Sequence, residues 1–261
     1  MSEGGARRKT ERGPQRRRMC SQMSRLASAL TVAATIAAHV PPLLFGWLEP
    51  GYRWTRDYIS ELGANGAAHA GVVNATFLAA GLLAVAACAA MRRALPSGAA
   101  AAGGLALVSL IGVSWIVAGV SPCDVGCPAA GSLSQAVHNT VGLLGYLGGA
   151  SGLLWLGTTL KRTGAHWHAA VTTSCGIVAL AALAAMAAPA LDEVRGLSQR
   201  VGEAPVPGGR SSPPRARRPP GRRGAHGGSV YQRAVSPTPS ILPCMMLLGA
   251  RYEALSALVV T

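Results

Sequence analysis

Five apolar stretches of about twenty residues, each long enough to cross about 30 Å of hydrocarbon as a helix, lie between Leu26 and Ala190. They run Leu26–Leu48, Ala70–Met91, Ala99–Val120, Ala136–Leu160 and His168–Ala190, and they hold almost no charge. A soluble fold cannot bury five such segments in so short a chain. The expected fold class is therefore all-α: a polytopic membrane helix bundle with five clear spans, whose solvent and first partner is the lipid bilayer. In a bilayer the backbone must satisfy its own hydrogen bonds, and helices do so within each segment.

Composition agrees. Of 261 residues, 50% are hydrophobic and 13% charged, where soluble domains carry about 25% charged residues. The net charge of +14 raises the question of nucleic acid, and its distribution answers it. Arg7, Arg8, Lys9, Arg12, Arg16, Arg17, Arg18 and Arg25 crowd the N-terminus, and Arg210, Arg215, Arg217, Arg218, Arg222 and Arg223 crowd the C-terminal third. No zinc-finger spacing or other nucleic-acid signature accompanies them. Basic flanks on a membrane protein set orientation and meet anionic lipid, so anionic lipid is expected at the N-terminal tail and nucleic acid is not.

Three regions follow. Residues 1–25 form a basic tail of disordered composition. They resemble the charged head of a signal peptide, but the apolar run behind them is too long and lacks a small-residue cleavage site. Residues 26–204 hold the bundle, and Pro41 and Pro42 should kink its first span. Residues 205–261 are rich in Pro, Arg, Gly and Ser, a low-complexity composition, and their apolar patch Ile241–Ala250 is too short to span.

Lys and Arg collect in cytoplasmic loops. Arg92–Arg93 follow the second span and Lys161–Arg162 the fourth. Arg53 and Arg56 in the first loop are offset by Asp57 and Glu61, and the loop after the third span has no Lys or Arg. The expected protein is a multi-pass component of the cell membrane with a cytoplasmic N-terminus, and loops 49–69 and 121–135 lie outside. In the fourth span Gly145, Gly148, Gly149 and Gly152 bring small residues to one face, which permits close helix approach. That span is expected at the centre of the bundle.

Polar groups gather at the outer face. Asp57, Ser60 and Glu61 lie in the first outer loop, and Cys123, Asp124 and Cys127 in the second. His138 and Asn139 sit about one turn into the fourth span, and Asp192 and Glu193 close the fifth. Ionisable groups near membrane depth serve a pathway, a relay or a site. Candidate binding residues are Asp57, Glu61, Asn139 and Asp192. Candidate catalytic residues are Ser60, Asp124 and His138, with His138 and Asp124 also the candidate metal ligands, since histidine is base, acid or ligand near neutral pH. The plainer alternative is solvated loop charges, with Asp57 capping a short helix, and hydrogen bonds between spans. Cys123 and Cys127 are one residue too far apart for a redox pair. A local disulfide between them suits an oxidising compartment, whereas zinc would need more ligands. His39 is expected to bond a neighbouring helix. The acceptor Asn74-Ala-Thr76 is buried in a span and discounted as a glycosylation site. No phosphate loop, Gly-x-Ser-x-Gly or His-Glu-x-x-His pattern is present, and no cofactor is expected.

The run Asp57-Tyr-Ile-Ser-Glu-Leu-Gly-Ala64, then Val73-Asn74 and Phe77-Leu78, carries a resemblance. So do Ser121-Pro-Cys-Asp-Val-Gly-Cys-Pro128 and His138-Asn139 with Gly142-Leu-Leu-Gly145. Over about residues 30 to 203 the chain resembles the prokaryotic membrane family catalogued as domain of unknown function 998. The resemblance implies a small helical bundle, usually of about six spans. The chain departs from that pattern after Glu203, where the last span fails to appear. A reading-frame shift near Ala204 is the expected cause, because out-of-frame reading of a GC-rich gene yields Arg, Pro and Gly. One of the two other frames of that DNA should then encode about twenty apolar residues, and translating both decides it.

Three functions fit these residues. The first is a membrane protein that binds a lipid head group, ion or small solute at its outer face. The second is a membrane-embedded, metal-dependent lipid hydrolase similar to the alkaline ceramidases, with Ser60, Asp124 and His138 in the active roles. It lacks the several helix-borne histidines such enzymes use. The third is a transporter, which needs discontinuous helices or repeated halves, and the sequence offers neither.

Overall fold

A computed structural model describes residues 4–94 and 98–203. Its long helices are α1 (Gly4–Leu48), α2 (Ala70–Ala94), α3 (Ala99–Val120), α4 (Leu133–Arg162) and α5 (His166–Ala187), followed by the short α6 (Arg195–Glu203). Five of them contain segments long and apolar enough to cross a membrane, beginning with Gln22–Leu48 of α1. Three-residue-per-turn helices at Ile59–Gly63 and Pro189–Val194 complete the described elements, and none of these is a strand. The proposed tail from 205 onward, with its frame shift, lies outside the described residues.

The boundaries differ from the hydropathy reading where local chemistry intervenes. Helix α4 begins three residues early, at Leu133, because the Ser132 side chain caps it by accepting the Gln135 N–H at 3.2 Å. Helix α5 stops at Ala187 because Pro189 has no N–H to continue it and disfavours helix in the residue before. Helix α1 continues N-terminally to Gly4, through the basic segment whose composition argues for no fixed structure. Arg, Lys, Gln, Met and Ala are all good helix formers, and propagation from an established helix is far easier than nucleation.

Burial is inverted relative to a soluble bundle. The buried residues are mostly small, including Ala27, Ala34, Ala38, Ala80, Ala87 and Ala90, while Leu44, Trp47, Leu82, Leu144 and Ile177 are exposed. In lipid, large apolar side chains gain nothing by turning inward, and small ones let backbones meet. Gly145, Gly148, Gly149 and Gly152 of α4 all face α3: a Cβ at Gly145 or Gly148 would strike Ser114 or Leu110, one at Gly149 Ile111, and one at Gly152 the Gly104 carbonyl. Gly81 of α2 and Gly112 of α3 are paired in the same way.

Neighbours in the chain pack against one another, α1 on α2 through to α5 on α6. Short connections make them antiparallel. The loops 49–69 and 121–132 and the α5–α6 connection therefore share one end, here termed the cap. Arg92, Arg93, Lys161 and Arg162 lie at the helix termini of the opposite end. Under the cap, Ile59 and Leu62 of the first loop pack on Val73 and Phe77 of α2, with Phe45, Tyr52 and Ala118 around them.

Candidate functional site

Loop 121–132 is tied at many points. Cys123 and Cys127 are disulfide-bonded. Ser60 Oγ lies 3.3 Å from Cys127 Sγ, and the Asn65 N–H donates to the Cys123 carbonyl at 3.0 Å, so this loop braces the first. Gln135, fully buried, accepts the Asp124 N–H at 2.7 Å and donates to Asn139 Oδ1 at 2.8 Å. Asn139 Nδ2 donates to the carbonyls of Pro128 and Ala129, both at 3.1 Å. Asn139 thus spends its amide on the loop.

Asp124 is engaged as well. Its carboxylate accepts the Ser132 N–H and the Ser132 hydroxyl, both at 2.8 Å, ahead of α4. These two bonds hold its carboxyl below the ordinary range. A carboxyl with a lowered folded-state pKa gives stability above its unfolded pKa of about 4, and loses it as pH falls through the folded value. The stability gap between wild type and Asp124→Asn should therefore be present at pH 7 and shrink below about pH 4, as thermal unfolding across pH will read.

The other cap carboxylates lie among arginines. Asp192 pairs with Arg195 at 3.0 Å and Arg56 at 3.8 Å, Glu193 with Arg53 and Arg56 at 3.6 Å, and Glu61 with Arg195 at 3.6 Å. The Asp192 and Glu193 pairs are solvent-exposed and each is worth about 0–1 kcal/mol. Asp57 does not cap the helix at Ile59. Its Oδ2 accepts the Arg53 N–H at 2.6 Å, and Glu61 takes the capping role by accepting the Tyr58 N–H at 2.9 Å. Glu61 stands three residues past Tyr58, from which a side chain reaches back to the first free N–H. Burial raises both carboxyls, the arginines opposing it.

Helix α6 is latched to the first loop by Arg200. Its guanidinium donates to the carbonyls of Trp54 at 2.8 Å, Asp57 at 3.1 Å and Gly196 at 2.9 Å, and to the Tyr52 hydroxyl. It also stacks 4.7 Å from the Trp54 ring centroid. Burial pushes the Tyr52 hydroxyl up to about 12, against the pull of Arg200, so it stays protonated and donates to the Tyr58 carbonyl at 3.0 Å. Gln199 adds a bond from the Ile59 N–H at 2.6 Å.

Beneath this cap lies a cavity of about 170 Å³ lined by residues of α2 to α6 and by Ile59 and Ser60. Phe77, Ile111, Trp115, Ala118, Leu153 and Val178 give it apolar walls. Its polar lining comes from Ser60, Ser114, His138, Tyr146, Thr172, Gln199 and Glu203. His138 Nδ1 lies 3.0 Å from the Ser121 carbonyl. A carbonyl only accepts, so Nδ1 carries hydrogen, and in the neutral ring Nε2 keeps a lone pair. Tyr146 Oη at 2.9 Å and Gln199 Nε2 at 3.1 Å both donate to Glu203 Oε1. Thr31, Thr35, Thr76 and Ser114 return their hydroxyls to carbonyls of their own helices. Thr172 Oγ1 is buried and has no partner among the described residues.

Of the candidate residues, Ser60 and His138 share this cavity, and Asp57, Glu61, Asp124, Asn139 and Asp192 are not on its wall. Among the described residues no three His, Cys, Asp or Glu side chains converge to hold a metal, so His138 and Asp124 form no ligand set. His39 bonds its own helix rather than a neighbour, Nδ1 to the Thr35 carbonyl at 2.9 Å, because helical side chains lean back toward the preceding turn. Asn74 donates to the Gly63 carbonyl at 2.9 Å and anchors the first loop to α2. Sequence reasoning passed over Tyr146, Thr172, Gln199, Arg200 and Glu203. The available signal was the polar set Gln199, Arg200 and Glu203 immediately before the composition changes.

No curated protein and no solved structure matches the chain. A family model does match it, over residues 26–206, the span that contains the cap and the cavity. The chain belongs to the family described as protein of unknown function DUF998.

Proposed function

We propose that this membrane protein binds a small amphipathic solute, or the head group of a lipid, in the cavity beneath its cap. The observation that carries the reading is Thr172, 1% exposed and without a hydroxyl partner among the described residues, on the wall of that cavity. An unpaired buried hydroxyl costs about 1–3 kcal/mol, which a bound polar atom would recover. Apolar walls with a few convergent polar groups are the usual character of a small-molecule site. A bare ion is served less well, since most of the wall is apolar. By the distribution of Lys and Arg, the cap faces outward from the cell membrane and the N-terminus lies in the cytoplasm, where the basic start of α1 meets anionic lipid.

Gly142 supplies the test. It lines the cavity on the same face of α4 as Tyr146 and Ala150, and a Cβ there would meet nothing within 4 Å. Gly142→Leu should fill the space and leave the protein folded. Benzyl alcohol or benzylamine, added to the full chain in nanodiscs, should raise the wild-type unfolding temperature and leave Gly142→Leu unmoved. Equal response from the two proteins would sink the reading.

The hydrolase reading draws no support from this geometry, with Asp124 committed to Ser132. Metal analysis checks it: stoichiometric zinc lost on His138→Ala would restore it. Each spanning segment is one continuous helix, which gives the transporter reading nothing to build on.

A further inference from the structure

Resting on the cavity reading above, we infer that the molecule held is a glycerolipid of the bilayer, which passes one acyl chain between α1 and α5 into the lower cavity and sets its ester beside Thr172. The bundle is open on that side. Helix α1 packs on α2, α2 on α3, α3 on α4 and α4 on α5, but among the described residues α1 and α5 form no packed seam. Residues of α2, α3, α4 and α5 all line one cavity, so this open row of helices curves around it. At the cap end α6 covers the gap, because it packs on α5 and Arg200 ties it to the Trp54 carbonyl. Helix α6 ends at Glu203, and below that level no described element stands between α1 and α5. The gap there faces lipid.

Length and polarity fit a chain that enters from the Lys161 end. Gly202 stands level with Ala182 of α5 and Tyr146 of α4, since a Cβ on it would touch both. Thr172 lies ten positions before Ala182, about 15 Å along α5. An extended carbon chain covers about 1.2 Å per bond, as a backbone does, so this stretch takes about twelve carbons. Its walls are Ile111, Ala150, Leu153, Cys175, Val178 and Ala179, none of them charged. At its upper limit stand His39, edge-on to Trp115 at 6.5 Å, and Glu203, bonded to Tyr146 and Gln199. Burial raises the Glu203 carboxyl, which favours its uncharged form beside a chain end. At the lower limit, Gly157 of α4 faces Ala169 and Thr173 of α5, so Thr172 lies near the level of Leu156. Helix α4 has 30 residues, about 45 Å, which matches the hydrocarbon together with both head-group layers. Leu156 is about 9 Å inside its Lys161–Arg162 end, where head groups give way to hydrocarbon and the ester carbonyls of a glycerolipid reside. A carbonyl only accepts. Thr172 offers a hydroxyl with no partner among the described residues, whereas Thr31, Thr35, Thr76 and Ser114 spend theirs on their own helices.

The probes are two phosphatidylcholines with chains of about twelve carbons, placed in nanodiscs with the full-length protein. One carries a diazirine at the chain end and the other carries it close to the ester. After illumination, labelled residues are mapped by mass spectrometry. The chain-end probe should mark Ile111 or Tyr146, and the ester-side probe Cys175 or Leu153. This order is read in the wild type and needs no variant. Val178→Phe should erase the wall labelling while the outward-facing Leu144 and Ile177 stay labelled. Thr172→Val should cut the wall labelling about fivefold, the worth of one hydrogen bond. Labelling confined to Leu144, Ile177 and other outward positions overturns the chain's entry. If benzyl alcohol then still separates wild type from Gly142→Leu, the cavity reading survives. If it does not, both fall, and the cavity holds only water or the chain beyond Glu203. Wall labelling in the reverse order, or undiminished in Val178→Phe or Thr172→Val, also overturns the assignment.

Discussion

Gly152→Val is expected to prevent α3 and α4 from docking. A Cβ at this position would lie 2.7 Å from both the Gly104 carbonyl oxygen and the Val108 amide nitrogen. Both are backbone atoms, so no side chain can rotate away and the helices must separate. Overpacking a tight core costs about 1–3 kcal/mol, and valine adds two methyl groups beyond the Cβ. Separation would also strip the contacts of Gly145, Gly148 and Gly149, which face the same neighbour. We expect a loss of at least about 3 kcal/mol, seen as a protein that fails to elute as a single detergent-solubilised species. Gly142→Ala is the internal control. It lies on the same helix with open space around it, so it should gain up to about 1 kcal/mol from helix propensity. Normal yield of Gly152→Val would show that the glycine face of α4 does not set the helix spacing.

Arg200→Ala should release α6 from the first loop. The substitution leaves the Trp54 carbonyl without its donor and the Asp57 carbonyl with only the Tyr52 hydroxyl at 3.4 Å, and an acceptor left unsatisfied away from water costs about 1–3 kcal/mol. It also removes the guanidinium stacked on Trp54. A total near 3 kcal/mol corresponds to a fall of about 10 °C in unfolding temperature for a domain of this size. Arg200→Lys keeps the charge but not the planar fork that reaches several carbonyls together, so it should recover less than half of that loss. An Arg200→Ala protein unfolding within about 2 °C of wild type would mean that the latch contributes nothing. Because α6 brings Gln199 and Glu203 to the cavity, the same variant should also weaken the response to benzyl alcohol.

The five spans were legible because hydropathy is summed within a segment and needs no partner. The glycine face of α4 was legible for a similar reason, since positions 145, 148, 149 and 152 fall on one side of any helix. The common end shared by the two polar loops followed from the alternation of spans. Small errors arose where one side chain or one ring overrode the average, at the Ser132 cap and at Pro189. A larger one concerned Asp57. Its place ahead of a short helix suggested a cap, but Glu61 reaches the Tyr58 N–H and Asp57 turns back to Arg53.

The polar partnerships were not legible, and the reason lies in chain separation. Arg200 meets Trp54 across 146 positions, and Gln199 meets Ile59 across 140. Nothing local marks such pairs. Candidate groups close in sequence, such as Asp124 and His138, take separate partners, Ser132 for one and the Ser121 carbonyl for the other. Each segment's affinity for lipid is a property of its own atoms, and the residues alone specify it. Where Ser60, Thr172 and Glu203 come to face one cavity depends on how closely the backbones approach, and on an arginine finding carbonyls in a distant loop. Those distances exist only once the helices have packed.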